Sequence, residues 1–166
     1  MQQLVKFGMI TIAWLVLCGF TMQKSPAPAS SQPAEERKAQ DALPQSHDPV
    51  WKTLFKTKIH VDEKRGLYSA TFPPEVKALD GTQVTISGFM LPVESTMKFK
   101  HFILAKRTPT CPFCPPGEPN EIVDVWLDKN IEYSERMLTV TGTFSFMNNQ
   151  QFGMFFKLNH AAVDAK

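Results

Sequence analysis

The chain has 166 residues, with 18 basic and 16 acidic side chains spread along it for a formal net charge of +2. No cationic stripe of the kind that polyphosphate attraction requires is present, which argues against nucleic acid as a partner. A hydrophobic fraction of 43%, a charged fraction of 20% and 13 Phe against 2 Tyr give enough apolar and aromatic material for one compact core.

Residues 1–29 have the layout of a targeting element. Lys6 supplies a positive start, Met9 to Phe20 an apolar stretch, and Ala27-Pro28-Ala29 a small-residue site. Export is therefore expected, to a periplasmic location or to a membrane-tethered one facing the same side. The apolar run from Phe7 to Met22 is 16 residues, short of the roughly 20 that a spanning helix needs, so a cleaved signal and an uncleaved anchor both remain as readings. Cys18 lies in a lipobox-like context, but Leu17 stands where a small residue is wanted, and the simpler reading is an apolar position in the signal.

From residue 30 to residue 49 Ser, Pro, Ala, Gln and charged residues dominate, and the segment reads as a flexible linker with a short helical tendency over Ala34 to Leu43. The folded domain is expected over residues 50–166. It opens with Trp51, Leu54 and Phe55 at helical spacing. Leu67 to Phe72 reads as a short strand, Pro73-Pro74 as an interruption and Asp80-Gly81 as a turn.

Five further runs read as strands: Gln83 to Met90, His101 to Lys106, Glu121 to Leu127, Met137 to Met147 and Gly153 to Leu158. In the fourth, Leu138, Val140, Gly142, Phe144 and Phe146 alternate with Thr139, Thr141, Thr143 and Ser145, which predicts one buried and one polar face. Gly88 and Gly142 fall within strands and predict bends that let a small sheet curl. The expected fold is mainly β, a small five-stranded, OB-like, partly open barrel, with a β-sandwich as the alternative.

The segments Val76 to Gly81, Val84 to Pro92, His101 to Leu104 and Cys111 to Cys114 together resemble the bacterial DUF3299 family, over about Trp51 to Val163. The resemblance implies a small exported or lipoprotein-like β domain. It also implies ABC transporter components as neighbours and a link to zinc in some bacteria, but no known reaction.

The segment Cys111-Pro112-Phe113-Cys114 sits in a proline-rich loop and has three readings. As a zinc half-site, two thiolates at this spacing would be joined by His101, with His160, Glu118, Glu121 or water as a fourth ligand. As a redox pair, it lacks the following helix that acidifies an attacking thiol, because Pro115-Pro116-Gly117 come next. As a structural disulfide, it suits an exported compartment. The candidate metal ligands are thus His101, Cys111 and Cys114, with zinc as the candidate cofactor. His160 reads otherwise as a surface histidine, and Glu118, Glu121 and Asp124 as a solvated acidic group.

No Ser-His-Asp set, phosphate-cradling loop or catalytic carboxylate pair is evident from spacing. The expected function is a non-enzymatic exported binding or accessory module, zinc-related, working with ABC transporter components or another envelope protein. Its membrane contact would come through the N-terminal segment where that is uncleaved or lipidated. The alternative is a thiol- or zinc-dependent enzyme using the Cys-x-x-Cys segment.

Overall fold

The computed structural model describes residues 34–109 and 117–164. The expected signal or anchor segment, Cys18, the linker up to residue 33, and both Cys111 and Cys114 lie outside the described residues. In chain order the elements are α1 (Ala34–Asp41), α2 (Pro49–Leu54), β1 (Lys58–Asp62), β2 (Leu67–Thr71), α3 (Pro74–Lys77), β3 (Gln83–Pro92), β4 (Lys98–Ala105), β5 (Ile122–Glu132), β6 (Leu138–Asn149) and β7 (Met154–Val163).

Five strands form a closed barrel in the order β3-β4-β5-β7-β6, the ring being completed by β6 against β3. All neighbours are antiparallel except β5 and β7, which run parallel. This is the mainly β, five-stranded OB-like barrel that the strand pattern predicts, with a closed rather than a partly open ring. The reason lies in β3. Its first half, Gln83 to Gly88, pairs with β6, and its second half, Phe89 to Pro92, pairs with β4. The change of partner falls at Gly88, where a Cβ atom would stand 2.7 Å from the Ala105 carbonyl oxygen and 2.9 Å from Leu104 Cγ. Gly142 allows a second close approach, on β6: a Cβ there would lie 2.9 Å from Ala161 Cβ, beside a register shift between Thr141 and Thr143.

The core follows the predicted alternation. Val140 and Phe144 of β6 are buried with Ile86, Phe102, Leu104, Val125, Phe156 and Leu158, while Leu138 and Phe146 pack at its margin. Opposite, hydroxyl pairs bind β3 to β6: Thr85 Oγ1 to Thr141 Oγ1 at 2.8 Å and Ser87 Oγ to Thr139 Oγ1 at 2.9 Å.

A change of strand partner strands backbone groups, and α2 covers them. Trp51 and Leu54 are buried as their spacing predicts, whereas Phe55 is 54% exposed. The Trp51 indole Nε1 donates to the Ser87 carbonyl at 2.7 Å, and the Ser87 N–H donates to Asp48 Oδ2 at 3.0 Å. Asp48 is also the N-cap of α2, its Oδ1 accepting from the Val50 N–H at 2.9 Å. One carboxylate thus starts the helix and seats it on the barrel.

The hairpin β1–β2 stands outside the ring. Its second strand is the one expected at Leu67 to Phe72. The first, Lys58-Ile59-His60-Val61-Asp62, is obscured in the sequence by its mixed polarity, because most of it is solvent-facing. The hairpin leads into Phe72, whose ring lies 4.4 Å from that of Phe146. The turn expected at Asp80-Gly81 is present, with Gly81 at φ 72° and its N–H donating to the Phe144 carbonyl at 2.9 Å.

Gly88→Ala is expected to destabilise the barrel by about 2 kcal/mol, because its methyl meets backbone that cannot turn aside. Gly66→Ala, at an open turn with no atom near the added methyl, should cost only about 1 kcal/mol from its left-handed backbone. The order of the two urea midpoints is the check.

Candidate functional site

His101 lies on β4 directly opposite Trp126 of β5, and Asp124 lies two residues before Trp126 on the same outer face. The Asp124 carboxylate is 5% exposed, and ring nitrogens use both of its oxygens. His101 Nε2 is 2.5 Å from Oδ1, and Trp126 Nε1 donates to Oδ2 at 2.7 Å. The two rings stack at 4.1 Å between centroids with 18° between planes. From the strand on the other side of β5, Lys157 of β7 places its ammonium 4.9 Å from the Trp126 ring centroid. Trp126 is therefore fixed by a hydrogen bond and held between an imidazole and an ammonium, yet it remains 43% exposed.

This arrangement determines what His101 has left to offer. With Nε2 turned to Asp124, its other nitrogen, Nδ1, is 3.8 Å from Glu94 Oε1. A carboxylate behind one imidazole nitrogen is the arrangement that orients a metal-binding histidine through the other. Among the described residues no three His, Cys, Asp or Glu side chains are grouped to hold a metal ion. A zinc site at His101 therefore depends on Cys111 and Cys114, which lie outside the described residues. His160, considered as a further ligand, is on β7, two strands and roughly 10 Å across the sheet from β4. It is exposed, at φ 49°, with Nδ1 3.2 Å from Asp128 Oδ1.

The second cluster forms the base of the cysteine-bearing loop. Glu121, read from the sequence as one of a solvated acidic group, is 1% exposed, and Glu118 and Asp124 are also buried. The correction has a plain cause, since each acid has polar partners that composition does not reveal. For Glu121 these are Arg37 of α1, with contacts of 2.5 and 3.0 Å, Arg107 just after β4, and Lys106 Nζ at 3.4 Å. The Glu118 N–H reaches Glu121 Oε2 at 3.4 Å. Burial pushes the Glu121 carboxyl upward, but the hydrogen bond from Arg37 and the charges of Arg107 and Arg37 outweigh it and hold the group below the usual carboxylate range.

Through this carboxylate the last part of the expected linker lies on the barrel. Ala34 to Asp41 is helical, in keeping with the short helical tendency read there. Pro44 to Ser46 then runs beside the chain leaving β4, with the Ser46 N–H on the Lys106 carbonyl at 2.8 Å and the Thr108 N–H on the Pro44 carbonyl at 3.2 Å. Asp41 takes the remaining face of Arg107 at 2.8 Å. The contacts are polar, so a composition poor in apolar residues gives no warning of them. Asn120, next to Glu121, directs its Nδ2 to the Phe55 and Thr57 carbonyls at the end of α2.

Because the folded-state pKa of Glu121 is depressed, its contribution is complete above the unfolded carboxylate value of about 4.3 and is lost as pH falls through the lower folded value. Glu121→Gln should lower stability at neutral pH by about 3 kcal/mol, by leaving buried cations short of a partner. Thermal unfolding of the two proteins should converge in strong acid. A gap that is unchanged from pH 7 into strong acid would contradict this assignment.

None of the curated proteins matches the chain. A solved structure that is similar to it is that of a DUF3299 family protein (PA4066) from Pseudomonas aeruginosa PAO1. It is 24% identical, the match covers 59% of this chain and 69% of that one, and the TM-score is 0.46. The family model described as a protein of unknown function, DUF3299, matches residues 25–157. That span takes in the docked arm, the base of the cysteine loop, His101, Asp124, Trp126 and Lys157, and by it the chain belongs to the DUF3299 family.

Proposed function

We propose that this protein is an exported, non-enzymatic binding module that engages an envelope partner through the outer face of β4, β5 and β7. The observation that carries the reading is Trp126. A large aromatic side chain left 43% exposed, but immobilised by Asp124, His101 and Lys157, offers contact area at little cost in lost side-chain freedom. The same chemistry favours binding over catalysis. Asp124 has both oxygens engaged, and the imidazole beside it is packed flat against an indole, so the carboxylate serves to position rings. OB-type barrels commonly bind through the face of their second and third strands, here β4 and β5; this is analogy of fold and adds support at that level only.

The partner in this reading is a component of an ABC transporter or another envelope protein. A partner of that kind should be captured by crosslinking to the wild-type chain. Trp126→Ala and Lys157→Glu should each reduce capture by at least about tenfold, as for residues central to an interface. Lys157→Glu should leave the unfolding temperature nearly unchanged, whereas Trp126→Ala also deprives a buried Asp124 oxygen of its donor and should lower it. Capture that both variants leave intact would refute the assignment of the face.

Zinc fits the reading through His101. Its Nδ1 is the available donor, Asp124 is the orienting carboxylate, and Cys111 and Cys114 would complete the ligand set. Bound there, zinc would supply a structural crosslink between the sheet face and the loop. Metal analysis should find about one zinc per chain, lost in His101→Ala and in Cys111→Ser. A metal-free protein with both thiols oxidised would eliminate zinc while leaving the Trp126 face to stand on its own test.

A further inference from the structure

The end of the barrel that carries the docked arm has a second surface feature, distinct from the Trp126 face. Arg37, Lys52, Phe55 and Lys106 line a cavity of ≈ 300 Å³ whose carboxylates are already engaged. Asp48 accepts from the Val50 and Ser87 N–H groups, and Glu121 is taken by Arg37, Arg107 and Lys106. Outside the cavity, Asp41 is bound to Arg107. Lys52 is solvent-exposed and in hydrogen-bonding or ion-pairing range of no carboxylate among the described residues. Beside it the Phe55 ring is 54% exposed, with the Lys106 ammonium 5.8 Å from its centroid. The ring is thus flanked by the Lys52 ammonium, unpaired among the described residues, and by Lys106, whose ammonium has three donors and one carboxylate contact. An exposed aromatic ring so flanked is the pattern that seats a protein at a lipid–water interface, the ring entering the headgroup layer and the ammonium groups meeting phosphate.

The chain's own connectivity puts a bilayer within reach of this end. Only residues 23–33 separate Met22, the last residue of the apolar run, from Ala34 at the start of α1. Eleven residues span at most about 40 Å, and α1 carries Arg37 into the cavity wall. Where the apolar segment is retained, the Lys52–Phe55–Lys106 surface is therefore held close to the membrane that holds the segment.

We propose that this surface docks onto the phosphodiester headgroups of an anionic bilayer. Docked in this way, the barrel meets the membrane with the end where β4 terminates, and its opposite end, with the β3–β4 loop, is turned away. The inference is independent of the partner assigned to the Trp126 face, and requires only that the apolar segment remain attached.

The test uses the full chain reconstituted in nanodiscs of phosphatidylcholine alone, or with about a third of the lipid replaced by phosphatidylglycerol to create a negative surface potential. Amine labelling is followed residue by residue with mass spectrometry. Lys52 and Lys106 are expected to label at least about threefold more slowly in the anionic discs, with the protection abolished by about 0.5 M salt. Lys98 and Lys100, toward the other end of β4, should label equally in both. Lys52→Glu should remove the protection of Lys106 without altering the unfolding temperature. Equal rates for Lys52 and Lys106 in the two discs would overturn the proposal. So would protection by inorganic phosphate or glycerol phosphate in phosphatidylcholine discs with none from phosphatidylglycerol, which would identify a small-anion pocket instead.

Discussion

The barrel depends on one strand being shared between two neighbours. β3 belongs to β6 up to Gly88 and to β4 beyond it, and this division of one strand between two partners closes the ring. The constraint is steric, because at Gly88 the chain passes so near Ala105 and Leu104 that there is no room for a side chain. It is also a matter of hydrogen bonding. The crossover leaves the amide and carbonyl of Ser87 turned away from β6, and α2 exists in its observed position because Asp48 and Trp51 satisfy them. Helix and barrel are therefore coupled at a single residue, and each makes the other's geometry affordable.

A second polar hub organises what surrounds the barrel. Glu121 begins the return from the cysteine loop and meets Lys106 and Arg107 on the outgoing side, so one carboxylate closes the loop at its base. The same group holds Arg37, which brings the N-terminal arm onto the loop's two legs. A buried charge is stable only where such partners are present, and here the cationic partners come from two separated stretches of sequence, α1 and the chain leaving β4. The arm, the loop base and α2 consequently behave as one assembly, although none of them is a strand of the ring.

How much of this was legible in the sequence differs by type of interaction. The alternation along Leu138 to Phe146 predicted a buried and a polar face because side-chain direction has a strict period of two, and the glycines that interrupt β3 and β6 marked the bends. Strand ends were less legible: β5 and β7 run on past their apolar stretches, through Asp128 to Asn130 and through Asn159 and His160, because backbone pairing continues where side chains have turned polar. β1 was hidden for the same reason. The site was only partly visible. His101 drew notice through its place upstream of the cysteines, whereas Asp124 and Trp126, two residues apart on one strand face, looked like an ordinary acid and an ordinary aromatic. Their joint role appears only when β4 and β7 are laid on either side. Glu121 was the least legible, since its three cationic partners are as far as 84 residues away in sequence.

The strand order has a consequence for how the chain acquires its shape. β7 follows the other four strands of the ring in the chain, yet it lies between β5 and β6 and supplies the one parallel pairing of the ring. Until Met154 to Val163 have joined, β5 and β6 each present an open edge. Closure of the ring therefore waits on contacts between segments far apart in sequence, and β5 and β6 are held together only through a strand that follows both.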